Sequence, residues 1–257
     1  EVENSASSTH PANVSLETPL KEAYADFNLD RHDDHEFSED DKEFMALIAA
    51  AFRDELDWYS LKESMTKVRD RAGNPDTDSL IECGYIDEGK VRRKKYYSLT
   101  RKGWRVVSDS VPGNEFGDHM EKMPHRVGVH LLTEHIAGRD DVAWSEPYAR
   151  YNGETYDVVG YDSIGGVVVT GEVEPAGNNP DAVVEDYKKL SEAPGEAIWA
   201  YPKAEAMTEV WSMLNQHVFS DPLSVRIINR VGRLQSELDD EPKSGADIVK
   251  TYKSLEK

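Results

Sequence analysis

Between Asp41 and Phe52 the apolar residues Phe44, Leu47, Ile48, Ala51 and Phe52 recur at i, i+3, i+4, i+7 and i+8, which predicts a helix with one buried face. A second helix is expected over Ser60–Arg71, with Ser60 as N-cap and Leu61, Met65 and Val68 turned inward, until Gly73-Asn74-Pro75 breaks it. A short third helix, Asp76–Cys83, should end at Gly84. Tyr85-Ile86, a turn at Asp87-Glu88-Gly89 and a strand closing at Tyr96-Tyr97-Ser98-Leu99-Thr100 complete a hairpin.

The pattern changes further along. A helix is expected over Met123–Ala137 with Gly138 at its C-cap, then strands at Val142–Glu146 and Tyr148–Tyr151. Tyr156–Tyr161 and Val167–Glu174 flank Ser163-Ile164-Gly165-Gly166 as a hairpin. Helix Asp181–Ala193, strand Ala197–Tyr201, helix Ala204–Val218, strand Ser224–Asn229 and a helix near Ala246–Leu255 follow. The fold class expected is α/β in the α+β sense, with a mixed central sheet. The expected division is an acidic flexible tail over 1–39, a helical and hairpin domain over 40–110, a linker over 111–120 around Gly113–Gly117, and an α/β domain over 121–257. Within the tail, Leu20–Phe27 could form a short helix, and His32 and His35 sit among acids.

Charge alters this picture in two ways. The 257 residues carry a net charge of −20, with 31% charged and 38% hydrophobic residues. Dense carboxylates keep a surface hydrated where salt screens charge within about 3 Å at 1 M, so a halophilic source is expected, with a generically acidic protein as the alternative. Against that background, Lys90–Arg105 holds eight basic residues and no acid. Such a stripe fits a polyanionic partner, and Lys67, Arg69, Arg71, Lys90, Arg92, Arg93, Lys94, Lys95, Arg101 and Lys102 are the candidate DNA-binding residues. The plainer alternative is a solvated hairpin whose lysines discourage edge pairing. No apolar run approaches the roughly 18 residues of a membrane span, and no signal-peptide pattern opens the chain, so no membrane partner and a cytoplasmic location are expected. The single cysteine, Cys83, excludes an internal disulfide and a multi-cysteine zinc site.

Three helices followed by a hairpin is the winged helix-turn-helix order. Leu80-Ile81-Glu82-Cys83-Gly84-Tyr85-Ile86 resembles the exit of the third helix in winged-helix proteins, and Tyr96-Tyr97-Ser98-Leu99-Thr100-Arg101-Lys102-Gly103 resembles their closing strand and turn. The resemblance covers about residues 41–108. It implies DNA binding, with one departure: the third helix, usually the groove reader, carries Asp76, Asp78 and Glu82. Phosphate gripping by the wing and second helix is therefore expected over base reading.

Carboxylates in the second hairpin carry the candidate chemistry. Glu172 and Glu174 are two apart on a strand and share a face, and the tight turn brings Asp157 onto the neighbouring strand. Converging carboxylates are hard-oxygen ligands suited to Mg²⁺ or Mn²⁺, which could activate water against a phosphodiester. The order of helix, strand with Asp, strand with acid-x-charged residue, helix and strand resembles the PD-(D/E)xK nuclease superfamily over about residues 120–202. That resemblance implies Asp157 as first acid, Glu172 as second and Glu134 as the acid of the preceding helix, all three as metal ligands. Glu174 stands at the position of the motif lysine, and Lys188 or Lys189 could supply the missing ammonium from the next helix. His130 and Glu134 share a helix face and could both approach a metal, although such a His is more often a satisfied packing residue. Tyr187 could contact the scissile strand. Trp104, Trp144, Trp199 and Trp211 are expected to be packing residues.

A winged helix placed before such a domain resembles the layout of haloarchaeal mobile-element and plasmid replication-relaxation proteins. The first expectation is a DNA-binding, metal-dependent endonuclease-like protein. The alternatives are a non-catalytic DNA-binding regulator or assembly adaptor on a degenerate nuclease fold, and a module whose basic wing docks on an acidic protein. A homodimer or a protein partner is compatible with each.

Overall fold

The computed structural model describes residues 36–53, 55–107 and 121–256. The tail helix Leu20–Phe27, His32, His35 and the linker at Gly113–Gly117 lie outside the described residues. The protein is a mixed α/β chain whose described residues fall into two units, 36–87 with 97–107 and 88–96 with 121–256.

In the first unit, α1 (Glu39–Phe52) starts at a capping box: Asp41 N–H donates to Ser38 Oγ at 3.1 Å and Ser38 N–H to Asp41 Oδ2 at 2.9 Å. The other oxygen of Asp41 accepts from Asp76 N–H at 2.7 Å, which fastens the start of α3 (Thr77–Glu82) to the start of α1 and explains a buried aspartate. Phe44, Leu47, Ile48 and Ala51 are buried as their spacing requires, with Tyr97 edge-on to Phe44 at 5.1 Å.

The second helix is shorter than the sequence predicts. The residues before α2 (Thr66–Arg71) form turns because Ser60 and Ser64 hydroxyls accept from the backbone N–H of Lys62 and Thr66, a local alternative to helical bonding.

Strands β1 (Ile86–Val91) and β2 (Lys94–Leu99) form a two-stranded hairpin. Its turn lies at Arg92-Arg93, not at Asp87-Glu88-Gly89, and both arginines have positive φ, 50° and 70°. Turn-forming composition misplaces it because Gly89 serves a different need: a Cβ there would lie 3.3 Å from Met123 Sδ. Helix α4 (Arg101–Val107) is capped by Thr100, whose Oγ1 accepts from Gly103 N–H at 3.1 Å and donates to Gly84 O at 2.7 Å. Gly103 has no alternative, since a Cβ would stand 2.1 Å from the Tyr85 carbonyl oxygen. The Leu-Thr-x-x-Gly pattern is thus a cap followed by a close approach of helix to backbone.

The second unit is built on a five-stranded sheet of order β3-β6-β7-β8-β9. Its strands are β3 (Trp144–Pro147), β6 (Val158–Tyr161), β7 (Val167–Val173), β8 (Glu196–Tyr201) and β9 (Ile248–Thr251). The β3/β6 and β6/β7 pairs are antiparallel, and β7/β8 and β8/β9 are parallel. Helix α5 (Met123–Ala137) covers one face, approaching closely over Gly160 and Gly171, where a Cβ would meet Ile136 and Leu132 at 2.6 and 2.7 Å. On the other face, Val159, Trp199, Tyr201 and Trp211 pack in one apolar core under α6 (Pro180–Glu192) and α7 (Ala204–His217).

Between β3 and β6, the short strands β4 (Arg150–Tyr151) and β5 (Glu154–Thr155) form a hairpin around Asn152-Gly153. Both turn residues have positive φ, 51° and 92°. The expected strand Tyr148–Tyr151 missed this turn although Asn-Gly is its usual signal.

Three more expectations are corrected. Ser224–Asn229 holds a short helix, α8 (Val225–Ile228), because its β-branched run is a single turn ahead of α9 (Val231–Asp240) rather than a sheet member. The stretch near Ala246–Leu255 is β9 followed by α10 (Tyr252–Leu255), since Ile198–Tyr201 offers a parallel partner that local propensity cannot reveal. Trp104, Trp199 and Trp211 are buried, but Trp144 is 40% exposed and stacks on Tyr161. Among the described residues no helix is long and apolar enough to cross a membrane.

Candidate functional site

The carboxyl end of β7 gathers the ionisable residues of the second unit. Alternation along β7 sends Gly171 toward α5 and therefore Glu172 toward α6, where Lys189 meets it. The Lys189 ammonium is 2.6 Å from Glu172 Oε1 and 2.8 Å from Asp186 Oδ1, and donates to Thr155 O at 3.0 Å. Lys188, its neighbour, is exposed. Of the two lysines considered for the missing ammonium, Lys189 is the one brought to the acid.

Glu172 is 4% exposed. Burial pushes its carboxyl well above the usual range, the Asp157 charge pushes it further, and Lys189 pulls it back. The ammonium sits directly on Glu172 Oε1, so this oxygen already has a charged partner. Burial and proximity to Asp186 push the carboxyl of Glu174 upward as well, and Asn178 Nδ2 donates to it.

Asp157 lies at a bend just before β6, at the end of the sheet, where it reaches His125 of α5 and its charge is still felt by Glu172. Its Oδ2 accepts Val173 N–H at 2.7 Å and lies 3.1 Å from His125 Nε2. The other ring nitrogen of His125 is 3.1 Å from Glu121 Oε2, which also accepts the Tyr148 hydroxyl at 2.9 Å. Burial alone would lower the imidazole, but the two flanking carboxylates outweigh it and push His125 up to about 11. Burial likewise opposes a charged Asp157, yet the His125 charge and hydrogen bond, helped by Val173 N–H, hold it below the usual carboxylate range.

Glu134 stands elsewhere on α5. It lies nine residues from His125, about two and a half turns and 13 Å along the axis, on the opposite side of the helix. Its ion-pair neighbour is His130, with Nε2 3.6 Å from Glu134 Oε2. The helix residue that reaches Asp157 is instead His125. Tyr187 is 7% exposed and packs edge-on against Phe219, so it faces the core.

Sequence reasoning missed Glu121, Tyr148, Asp186 and Asn178. Two of them had a signal in spacing and charge: Asp186 and Lys189 are i, i+3 neighbours on α6, and Glu121 stands four residues before His125, just ahead of α5.

Among the described residues no group of three or more His, Cys, Asp or Glu side chains is arranged to hold a metal ion. The donor chemistry nevertheless suits a hard cation: Asp157 and Glu172 are largely enclosed oxygen donors, with side-chain exposures of 12% and 6%, and the Asp157 charge raises the cost of ionising Glu172. Mg²⁺ commonly takes one or two protein carboxylates and completes its shell with water and substrate phosphate.

The basic residues divide into paired and exposed sets. Lys67 pairs with Glu63 at 3.2 Å, Arg69 with Asp70 at 2.7 Å and Lys95 with Glu88 at 2.6 Å. Arg71 lies over the Trp58 ring, and Lys102 over the Tyr85 ring while donating to Cys83 O. Arg92 and Lys94 both pair with Glu256. Lys90, Arg93, Arg101 and Arg105 are exposed. No protein-family model, no curated protein and no solved structure matches this chain.

Proposed function

We propose that the chain is a DNA-binding protein of the PD-(D/E)xK nuclease type, with a winged helix-turn-helix ahead of a domain that hydrolyses phosphodiesters, from a halophilic mobile element. The observation that carries this reading is the position of Lys189. It places an ammonium 2.6 Å from Glu172, compensating for Glu174 at the motif lysine. Supporting it, α5, then β3, β6 and β7 antiparallel, then α6 and a parallel β8, follow the order that the resemblance implies. The order α1, α2, α3, β1, β2 likewise agrees with a winged helix.

Asp157 and Glu172 would hold Mg²⁺ or Mn²⁺, which when bound supplies Lewis acidity and an activated water. Lys189, fixed by Asp186 and Thr155 O, presents a positive charge beside the acids, where it can orient a phosphate and stabilise the charge that develops on it. The exposed Lys90, Arg93 and Arg101 grip DNA by its phosphates, which gives affinity without base reading.

The test is incubation of supercoiled, branched and single-stranded DNA with the protein and Mg²⁺ or Mn²⁺, beside Asp157→Ala. Metal-dependent cleavage that disappears in the variant supports the reading. Binding without cleavage under either metal supports a second reading, a non-catalytic regulator or adaptor on the same scaffold. One observation favours that alternative: Glu174, 2% exposed, adds an acid where the family carries a cation.

A further inference from the structure

We infer that His125 is a positioning residue for Asp157, holding the carboxylate in one orientation so that its Oδ1 is presented to a bound divalent cation. The inference rests on the metal-site reading above and adds a residue that the family pattern does not supply. Two separate elements converge on this one carboxylate, and a third braces the imidazole from behind. The end of β7 gives Val173 N–H at 2.7 Å and the first turn of α5 gives His125 Nε2 at 3.1 Å, both on Oδ2. The loop after β3 gives Tyr148, whose hydroxyl fixes Glu121 at 2.9 Å, and Glu121 fixes the far side of the imidazole at 3.1 Å.

With Oδ2 doubly occupied, the carboxylate cannot swing, and Oδ1 is the oxygen left for a ligand. The assembly is enclosed, with side-chain exposures of 12% for Asp157, 16% for His125 and 23% for Glu121. A chain of this kind costs ordering entropy, which pairing of the enclosed charge offsets. Partners behind a metal ligand orient it and set its affinity.

Side-chain length separates positioning from mere packing. In His125→Gln the amide nitrogen can stand where Nε2 stands and still donate to Asp157. In His125→Asn the amide reaches only the Nδ1 position, and His125→Phe fills the space with no donor. The measurement is Mn²⁺ affinity of the full chain by electron paramagnetic resonance, with chemical unfolding of each variant alongside. Each substitution also removes the imidazolium charge, which by itself favours a cation, so positioning is read as a difference among the neutral variants: Asn and Phe are expected to bind Mn²⁺ about 10- to 100-fold more weakly than Gln. If the Phe substitution fails to fold, the Gln and Asn pair decides.

Equal Mn²⁺ binding by the folded Gln and Asn variants overturns the inference alone, provided Asp157→Asn still abolishes binding. Wild-type protein that binds no Mn²⁺, or binds it regardless of Asp157→Asn, overturns the metal-site reading and this inference with it.

Discussion

The Lys189 ammonium and the Glu172 carboxylate meet 2.6 Å apart across the face of the sheet, one from the last turn of α6 and the other from the end of β7. Each is largely withdrawn from water, with side-chain exposures of 12% and 6%. Removing one partner of a buried pair leaves an uncompensated charge and costs about 3–5 kcal/mol, less whatever protonation of Glu172 recovers. Lys189→Met should therefore lower stability by an amount of that order and, under the proposed nuclease activity, reduce cleavage about 10²- to 10³-fold. Lys188→Met, at the exposed neighbour, should stay within about 0.5 kcal/mol of wild type. Urea unfolding together with single-turnover cleavage checks both, and equal behaviour of the two variants would dismiss the assigned role of Lys189.

His125 gives the protein a pH dependence of definite sign. Its imidazole moves from an ordinary value of 6.5 to about 11 in the folded chain, so the folded state holds that proton more tightly than the unfolded state. The resulting stabilisation is complete below pH 6.5 and drains away as pH rises toward 11. Wild-type stability should fall across that window, and the His125→Gln protein should show a flatter slope. Unfolding midpoints measured at constant salt from pH 6 to pH 10 would settle it; parallel slopes would show that His125 does not carry the proton.

How much of this was legible depends on whether the signal is local. The helix face of Phe44, Leu47 and Ile48 and the hairpin bearing Asp157 and Glu172 come straight from periodicity and turn chemistry. The Glu172–Lys189 contact needed only strand alternation and a neighbouring helix, so two candidate lysines could be named, but choosing between them required the rotation of α6. His125 was hidden because its partner Asp157 lies at a bend just before β6, where strand alternation gives no direction. The strand expected at Ser224–Asn229 failed for the opposite reason: β-branched residues there serve a single helical turn. Arg92-Arg93 escaped notice because a hairpin turn with two positive φ angles ordinarily asks for Asn or Gly.

Two glycines predict opposite outcomes for the same substitution. At Gly103 the nearest atom to an added Cβ is the Tyr85 carbonyl oxygen, at 2.1 Å, and backbone cannot move aside cheaply. Gly103→Ala should cost about 1–3 kcal/mol or more through this overlap. Gly232, inside α9, has nothing within 4 Å of an added Cβ. Gly232→Ala should stabilise by about 0.4–1 kcal/mol, because alanine has less backbone freedom to lose on folding. Denaturant midpoints of both variants test the pair, and a stabilising Gly103→Ala would contradict the close packing of α4 on Tyr85.

Under the proposed DNA binding, Glu256 bears on how many charges of the basic hairpin are available to phosphate. It accepts ion pairs from both Arg92 and Lys94, the latter at 2.9 Å, and with 19% side-chain exposure it is partly shielded from competing water. Burial raises the Glu256 carboxyl, but hydrogen bonds from Lys94 and Arg92 outweigh it and hold the group ionised below its usual range. While this carboxylate is charged, neither cation can neutralise a phosphate at full strength. Glu256→Gln removes the competitor and leaves the shape of the side chain intact. Duplex affinity should then rise, and the slope of log affinity against log salt should steepen by up to two phosphate contacts, about 0.9 each. Fluorescence anisotropy over a series of KCl concentrations measures that slope directly. An unchanged slope would mean that Arg92 and Lys94 are structural partners of Glu256, leaving phosphate contact to the exposed Lys90 and Arg93.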